Sequence, residues 1–244
     1  MTFQDHDNFA KRFTWVEMHD NFILKVVLSS SPSNSDFIAM AIYSNIRKLA
    51  IARPEDEAWT TIPSEWSGFC DFIYYKEKFY AINWQGKVVS CDVGAHPKTT
   101  LITTPVRQIY GQVYLVECSG ELLQVVRKMK FDNYSPDYET VGFNVFKLDS
   151  YSNLWVVMKN LGDQSLFRGY NTSFSISCDN SRAIRVKRDC IYFTDDSLDA
   201  HWMSKEFGGS DMGIFHLEDG HIEHHYSGHV CYPSGHIWFA PNKS

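Results

Sequence analysis

Two stretches of this chain carry the same pattern of two alternating strands around a glycine-containing turn. The first, KFYAINWQGKVVSCD at residues 78–92, places Gly86 in the turn, and the second, MGIFHLEDGHIEHHY at 212–226, places Gly220 there. A looser copy occupies residues 114–127. Alternation of apolar and polar residues predicts a strand, and a glycine between two such runs predicts a hairpin. A chain that repeats hairpins with no clear helix between them is predicted to be all-β.

The predicted strands fall into four groups that restart about every 40–45 residues, a period typical of the blades of a β-propeller. The groups are Phe22–Leu28, Phe37–Tyr43, Arg47–Ala52 and Trp59–Ile62; Phe69–Tyr75, Lys78–Asn83, Lys87–Asp92 and Thr99–Thr103; Val113–Cys118, Glu121–Lys128, Val141–Asp149 and Leu154–Met158; and Ala183–Lys187, Cys190–Thr194, Met212–Leu217 and His221–Tyr226. A β-sandwich is the alternative, because it also has short strands separated by turns. The regular restart favours a propeller of four-stranded antiparallel blades. Helix is predicted only as single turns, at Phe9–His19 and Gly162–Phe167.

Composition excludes several classes of function. The chain has 244 residues, is 44% hydrophobic and carries a net charge of −6, which argues against nucleic acid as a partner. Its basic clusters, Arg127–Lys130 and Arg182–Arg188, are interpreted as solvated edges of strands or loops. The six cysteines form no CxxC pair, and neither a signal peptide nor a membrane span is predicted. We therefore expect an intracellular protein of the nucleus or cytoplasm that contacts no membrane.

Histidines concentrate near the end of the chain and raise the question of a metal site. His221 and His225 are predicted on one face of a strand with Glu223 between them, and His216 lies across the hairpin. Imidazole and carboxylate are suitable metal ligands. Because nothing makes these side chains converge, a solvated outer strand is the favoured interpretation, and neither a metal nor a cofactor is predicted.

Acidic residues after one predicted strand give a second candidate for chemistry. Asp195, Asp196 and Asp199 resemble paired carboxylates, but aspartate is also favoured in turns, where it bonds nearby backbone N–H groups. The sequence contains no nucleophile elbow, phosphate-binding loop or dinucleotide fingerprint. The chain is therefore predicted not to be an enzyme.

Three of the seven tryptophans fall in predicted turns or loops. Trp66, Trp84 and Trp202 are the candidate partner contacts, because an exposed indole in a loop is a typical interaction hot spot. The other tryptophans are predicted to pack in the core or at strand ends. The residues alone thus predict a recognition module without naming its partner.

Several separated phrases resemble the plant F-box-associated proteins with a KIB-type β-propeller, a region formerly described as a domain of unknown function. The phrase K-L-A-x-x-R-P-x-D-x-x-W stands at 48–59, D-x-I-Y-Y-K-x-x-F-Y-A-I at 71–82 and C-I-Y-F-T-D-D at 190–196. G-I-F-x-L-E-D-G stands at 213–220, and I-W-F-A-P at 237–241. The resemblance covers about residues 20–241. It implies a KIB-type β-propeller domain at 20–244, preceded by a poorly ordered segment at 1–19.

The resemblance further implies a role in ubiquitin transfer. Members of the family pair an F-box, which binds the Skp1 adaptor, with a propeller that selects the protein to be ubiquitinated. This chain opens almost directly on a strand, so we expect it to lack the F-box, which puts Skp1 binding in doubt. Its target protein is not predicted. The alternatives are a truncated relative without ligase function and a metal-dependent hydrolase on a propeller scaffold.

A propeller closes by pairing its last strands with its first, so four recognisable blades are compatible with a small closed ring or an open arc. Our hypothesis is an incomplete ring with one exposed edge. An open edge of this kind favours self-association. Size-exclusion chromatography with light scattering tests the prediction, and a stable monomer would contradict it.

Overall fold

A computed structural model describes residues 3–4, 23–33, 35–104, 111–131, 138–169, 173–178, 186–196, 211–224 and 238. Within these ranges the regular structure is entirely β, with 18 strands in four sheets. The described part of the chain contains no helix that is long and apolar enough to cross a membrane. The predicted helical turn at Phe9–His19 lies outside the described residues.

Each of the four sheets corresponds to one predicted blade. Blade 1 contains β1 (Phe3–Gln4), β2 (Ile23–Leu28), β3 (Ala39–Tyr43), β4 (Lys48–Ala52) and β5 (Trp59–Thr61). Blade 2 contains β6 (Phe69–Tyr75), β7 (Lys78–Asn83), β8 (Val88–Asp92) and β9 (Lys98–Thr103). Blade 3 contains β10 (Gln112–Cys118), β11 (Glu121–Phe131), β12 (Tyr138–Asp149) and β13 (Leu154–Met158). Blade 4 contains β14 (Gln164–Arg168), β15 (Phe174–Ser177), β16 (Cys190–Phe193), β17 (Gly213–His216) and β18 (Ile222–His224).

The predicted fold class, all-β with four propeller blades, is confirmed. Blades 1 and 4 each have a fifth strand and one parallel pair. In blade 1, β1 lies parallel to β5, and in blade 4, β14 lies parallel to β16. The hairpin at 78–92 pairs Phe79 with Cys91 and Ile82 with Val88.

Two predictions for the start of blade 4 were wrong. Residues 164–168, predicted as part of a helical turn at Gly162–Phe167, form the strand β14. A strand was predicted at Ala183–Lys187, but Val186 and Lys187 are not in a strand, and the rest of that range lies outside the described residues. The strand β14 takes the place next to β16, and its three central residues Ser165, Leu166 and Phe167 are all buried there.

The strands belong to two compact units. One comprises Met1–Ile109 with Val113–Leu115 and Ser152–Leu154, and the other comprises Tyr110–Gln112, Val116–Tyr151 and Trp155–Ser244. The first unit has an apolar core between the sheets of blades 1 and 2, in which Phe69, Phe72 and Phe79 are each at most 1% exposed. Burying an aromatic side chain of this kind contributes roughly 1.5–3 kcal/mol, so this core is a main source of stability.

A buried carboxylate in β6 connects strands of three sheets within the first unit. Asp71 is 3% exposed and forms an ion pair with Lys25 of β2. Its Oδ2 accepts a hydrogen bond from the backbone N–H of Leu115 in β10 at 2.9 Å, and its Oδ1 accepts one from Phe72 N–H at 2.9 Å. The aspartate of the D-x-I-Y-Y phrase therefore holds neighbouring strands together.

Arg127 was predicted at a solvated strand edge, and this was wrong. Its side chain is completely buried in the second unit, whereas Lys128 and Lys130 of the same cluster are exposed. The guanidinium forms ion pairs with Asp196 and Asp211 and donates to Thr140 Oγ1 at 2.7 Å. A buried guanidinium requires such partners, because an unpaired charge in the interior is strongly unfavourable.

Candidate interaction surface

The β3–β4 turn of blade 1 and the β7–β8 turn of blade 2 meet at one glycine. The Gly68 N–H donates to the Ile46 carbonyl at 3.0 Å, and the Gly68 carbonyl accepts from the Trp84 N–H at 3.0 Å. The next N–H, of Phe69, donates to the Arg47 carbonyl at 3.1 Å. These bonds fix the positions of Ile46 and Trp84 relative to each other.

The turn that carries Trp84 is braced by a buried asparagine. Asn83 is 1% exposed, and its Oδ1 accepts hydrogen bonds from Gln85 N–H at 3.1 Å and Lys87 N–H at 2.9 Å. Its carbonyl accepts a third from Gly86 N–H at 2.8 Å. An asparagine that bonds the following backbone stabilises a tight turn. The indole of Trp84 is thus presented from a rigid backbone.

Two large apolar side chains are exposed at this place. Trp84 is 61% exposed and Ile46 is 57% exposed, while Trp66 is half-buried and packs against the core of blades 1 and 2. The Lys87 ammonium lies 5.8 Å from the centre of the Trp66 ring, within the range of a cation–π contact. We call Ile46, Trp66, Trp84 and Lys87 the Ile46–Trp84 surface.

The structure brings together two of the three tryptophans predicted as partner contacts. Trp66 and Trp84 lie in the Ile46–Trp84 surface, and Trp202 lies outside the described residues. Their contact with a partner stays a prediction. Sequence reasoning missed Ile46, although an isoleucine at the tip of a two-strand turn was a usable signal, because turns normally carry polar residues.

Gly68 controls the position of the Trp84 indole. Its φ is +71°, and a Cβ at this position would lie 2.2 Å from Trp84 Cδ1, so the indole rests directly on the glycine backbone. The Gly68→Ala variant is expected to push the indole away and to cost roughly 1–2 kcal/mol for the left-handed backbone conformation.

The displacement can be measured as a shift of the Trp84 indole N–H signal in NMR spectra of protein labelled at tryptophan, with Trp84→Phe identifying the signal. Gly120→Ala is the matched control, because Gly120 has φ +80° and no atom within 4 Å of the added Cβ. It should cost similar stability and leave the Trp84 signal in place. An unchanged signal in Gly68→Ala would show that the indole does not rest on the glycine.

The histidine-rich hairpin of blade 4 forms a polar cluster. His216 Nε2 lies 2.6 Å from Glu223 Oε1, and Lys187 Nζ lies 2.5 and 2.6 Å from the two carboxylate oxygens. The Lys187 ammonium is the main reason that the pKa of Glu223 lies below its ordinary value. The ring of His221 is 5.9 Å from that of His216. His225 lies outside the described residues.

The described part of this cluster consists of His216, Glu223 and Lys187, with the thiol of Cys190 beside His216. The described residues contain no group of three or more histidine, cysteine, aspartate or glutamate side chains that could hold a metal ion. Cys190 Sγ is 3.5 Å from His216 Nδ1, but burial raises the pKa of the thiol to about 11, which keeps it neutral at neutral pH. A neutral, fully buried thiol is a packing group.

A small polar cavity of about 290 Å³ lies beside the cluster in blade 4. It is lined by Asn160, Gly162, Asp163, Arg188, Asp189, His216 and Glu218. Asp189 is partly engaged, since its Oδ1 accepts a hydrogen bond from Leu161 N–H at 2.6 Å. The carboxylate of Asp189 therefore holds the backbone at Leu161.

The acidic pair after β16 also has structural partners. Asp196 forms ion pairs with Arg127 and Arg168, and Asp195 accepts a hydrogen bond from the Tyr138 hydroxyl. Burial is the first cause, and the Asp195 carboxylate the second, of a strongly raised pKa for Tyr138. Asp199 lies outside the described residues. Asp195 and Asp196 thus belong to the buried network around Arg127.

Comparison with known proteins identifies a family. The model of the family described as KIB1-4 beta-propeller matches residues 4–216. The chain is similar to the putative F-box protein At5g55150 of Arabidopsis thaliana, with 33% identity over 60% of this chain and 41% of that protein. It is also similar to the F-box protein SKIP23, with 26% identity over 77% of this chain and 49% of that protein, and to the F-box protein At2g17036, with 31% identity over 59% and 38%. The chain spans about half or less of the length of these Arabidopsis relatives.

Proposed function

Because this chain belongs to the KIB1-4 β-propeller family, we propose that it is a non-catalytic protein-recognition module. Its role corresponds to the part of a Skp1–cullin–F-box ubiquitin ligase that selects the target protein. It holds a target by shape and side-chain contacts, and the transfer chemistry takes place on other subunits. The names of its relatives, which are F-box proteins, support this role.

The Ile46–Trp84 surface is the observation that carries the proposal. Trp84 and Ile46 are more than half exposed, and their backbones are fixed to each other through Gly68. A rigidly held, exposed tryptophan is the residue type that most often dominates a protein–protein interface, because it buries a large area at a small cost in conformational entropy. The surface offers contact area and no reactive group.

The metal-dependent hydrolase is the weaker candidate. Within the described residues, Glu223 is engaged by Lys187 and His216, so it is not poised as a metal ligand. The buried carboxylates Asp195 and Asp196 are likewise engaged by Tyr138 and by arginines. Both sets of side chains have a structural use, which supports recognition over catalysis.

Co-purification of proteins from plant cells with the tagged chain tests the proposal. We expect specific partners to be retained by the wild-type chain and by Tyr151→Ala, and lost from Trp84→Ala. Tyr151 is the matched control, because it is an aromatic side chain that is 98% exposed at a turn of blade 3 and is not part of the Ile46–Trp84 surface. Truncating an interface hot spot costs about 2 kcal/mol or more, so the affinity of a purified partner for Trp84→Ala should fall roughly 30-fold or more.

The fate of the partner distinguishes a ligase receptor from a truncated relative. If the chain works within a ligase, its overexpression shortens the half-life of the partner in a cycloheximide chase, and Skp1 is recovered with it. If the partner is bound but protected, and Skp1 is absent, the chain is a relative without ligase function. A partner set that is identical for wild type and Trp84→Ala would contradict recognition through the Ile46–Trp84 surface.

A further inference from the structure

The loops at the two ends of blades 1 and 2 differ in charge. The loops around the Ile46–Trp84 surface connect β3 to β4, β5 to β6 and β7 to β8, at residues 44–47, 62–68 and 84–87. They contain two cations, Arg47 and Lys87, and one carboxylate, Glu65, which gives a net charge of +1.

The loops at the other end lie at residues 29–38, 53–58, 76–77 and 93–97. A hydrogen bond of 2.5 Å from Arg53 Nη2 to the Val93 carbonyl joins two of them. They contain five carboxylates and two cations, which gives a net charge of −3: Asp36, Glu55, Asp56, Glu57, Glu77, Arg53 and Lys76. The Ile46–Trp84 surface is therefore at the more positive end of these blades, in a chain whose net charge is −6.

Lys87 is the cation best placed to meet a partner. Its ammonium lies beside the Trp66 ring, and within the described residues no carboxylate forms an ion pair with it. Its backbone N–H is bonded to Asn83, so the stem of the side chain starts from a fixed point. An ammonium beside an indole can pair with a carboxylate while exposed apolar side chains nearby bury an apolar side chain of the partner.

We infer that the Ile46–Trp84 surface binds an acidic peptide segment that contains a bulky apolar side chain. The inference rests on the proposed recognition function and names the chemistry of the target. The apolar side chain packs against Trp84 and Ile46, and a carboxylate of the segment pairs with Lys87. A basic segment would instead be attracted to the opposite, acidic loops. Two cations are too few for a nucleic acid, whose binding typically involves about 6–10 phosphate contacts.

Selection from a phage-displayed library of short random peptides tests the inference. With the wild-type chain, we expect enrichment of peptides that combine aspartate or glutamate with tryptophan, phenylalanine or leucine. The Lys87→Glu variant should lose acidic peptides and gain peptides with lysine or arginine. Trp84→Ala should reduce recovery of all specific peptides. A synthetic copy of the most enriched peptide should bind Lys87→Glu about tenfold more weakly than wild type, equal to a change of about 1.4 kcal/mol.

Lys159→Glu and Tyr151→Ala are the matched controls, because both residues are exposed outside the Ile46–Trp84 surface. They should select the same peptides as wild type. Unfolding curves of Trp84→Ala and Lys87→Glu that match that of the wild type establish that each variant is folded. Trp84 is exposed and Lys87 is half-buried, so we expect neither change to unfold the protein.

Three results would overturn the inference. The first is enrichment of peptides that contain no acidic residues. The second is peptide binding that is unchanged in both Trp84→Ala and Lys87→Glu. The third is recovery of phage from the wild-type chain that is no higher than recovery from an unrelated protein. None of these results alone would contradict the proposed recognition function. That proposal would be contradicted only if co-purification also yielded no partner whose binding depends on Trp84.

Discussion

Replacing Arg127 with methionine is expected to lower the free energy of unfolding by about 3–5 kcal/mol, the typical cost of removing one partner from a buried ion pair. The side chain is fully buried, with Nη2 2.9 Å from Asp211 Oδ2 and Nη1 3.0 Å from the Thr194 carbonyl. Methionine fills similar space but leaves the carboxylates of Asp196 and Asp211 without this cation. Arg168 still pairs with Asp196, so Asp211 accounts for most of the loss.

Equilibrium denaturation in urea, followed by circular dichroism, measures the change. Arg188→Met is the matched control, because Arg188 is 64% exposed and its Nη1 lies 3.8 Å from Asp163, and exposed pairs contribute little. The double variant Arg127→Met with Asp211→Asn should lose less than the two single changes together, since it removes the uncompensated charge. A loss in Arg127→Met no larger than in Arg188→Met would show that Arg127 does not stabilise the fold.

Most strands of blades 1 to 3 were predictable because they are apolar runs bounded by turn residues. The strand β3 is buried along its whole length, and Phe79, Ala81 and Ile82 of β7 are buried. The start of blade 4 was not predictable in this way. Its strand β14 follows a turn with one glycine, Gly162, and lies between β15 and β16, and because its pairing with β16 is parallel, no tight hairpin joins these two strands.

The candidate site was predictable in part. Trp66 and Trp84 stand out because they are aromatic residues in loops, which are the usual place of binding residues. Their proximity to Ile46 depends on the peptide of Gly68, which joins turns that are about 40 residues apart, and no local pattern encodes such a contact. Arg127 was misjudged for the same reason, because its partners Asp196 and Asp211 are 69 and 84 residues away in sequence.

Asp71→Ala is expected to lower the free energy of unfolding by about 3 kcal/mol, because it removes the acceptor of three donors inside the first unit. These donors are the Lys25 ammonium, whose side chain is 11% exposed, and the backbone N–H groups of Phe72 and Leu115. Asp71→Asn should lose less, because the amide oxygen can still accept one hydrogen bond. Asp92→Ala is the matched control, since Asp92 is exposed and its Oδ1 accepts a hydrogen bond from the nearby Gly94 N–H, at 3.0 Å.

Thermal and urea unfolding of the Asp71 variants measure the loss, and adding Lys25→Met to Asp71→Ala should recover part of it by removing the ammonium that has lost this carboxylate. Equal stability of Asp71→Ala and Asp92→Ala would contradict the role of this carboxylate.

The strand that carries Asp71 begins at Phe69, directly after Gly68, so a loss of stability also lowers the fraction of chains that present the Ile46–Trp84 surface. Binding of the enriched peptide should therefore weaken only under conditions in which Asp71→Ala is partly unfolded, whereas Trp84→Ala weakens binding in the fully folded protein. This difference separates a residue that holds the fold from a residue that meets the partner.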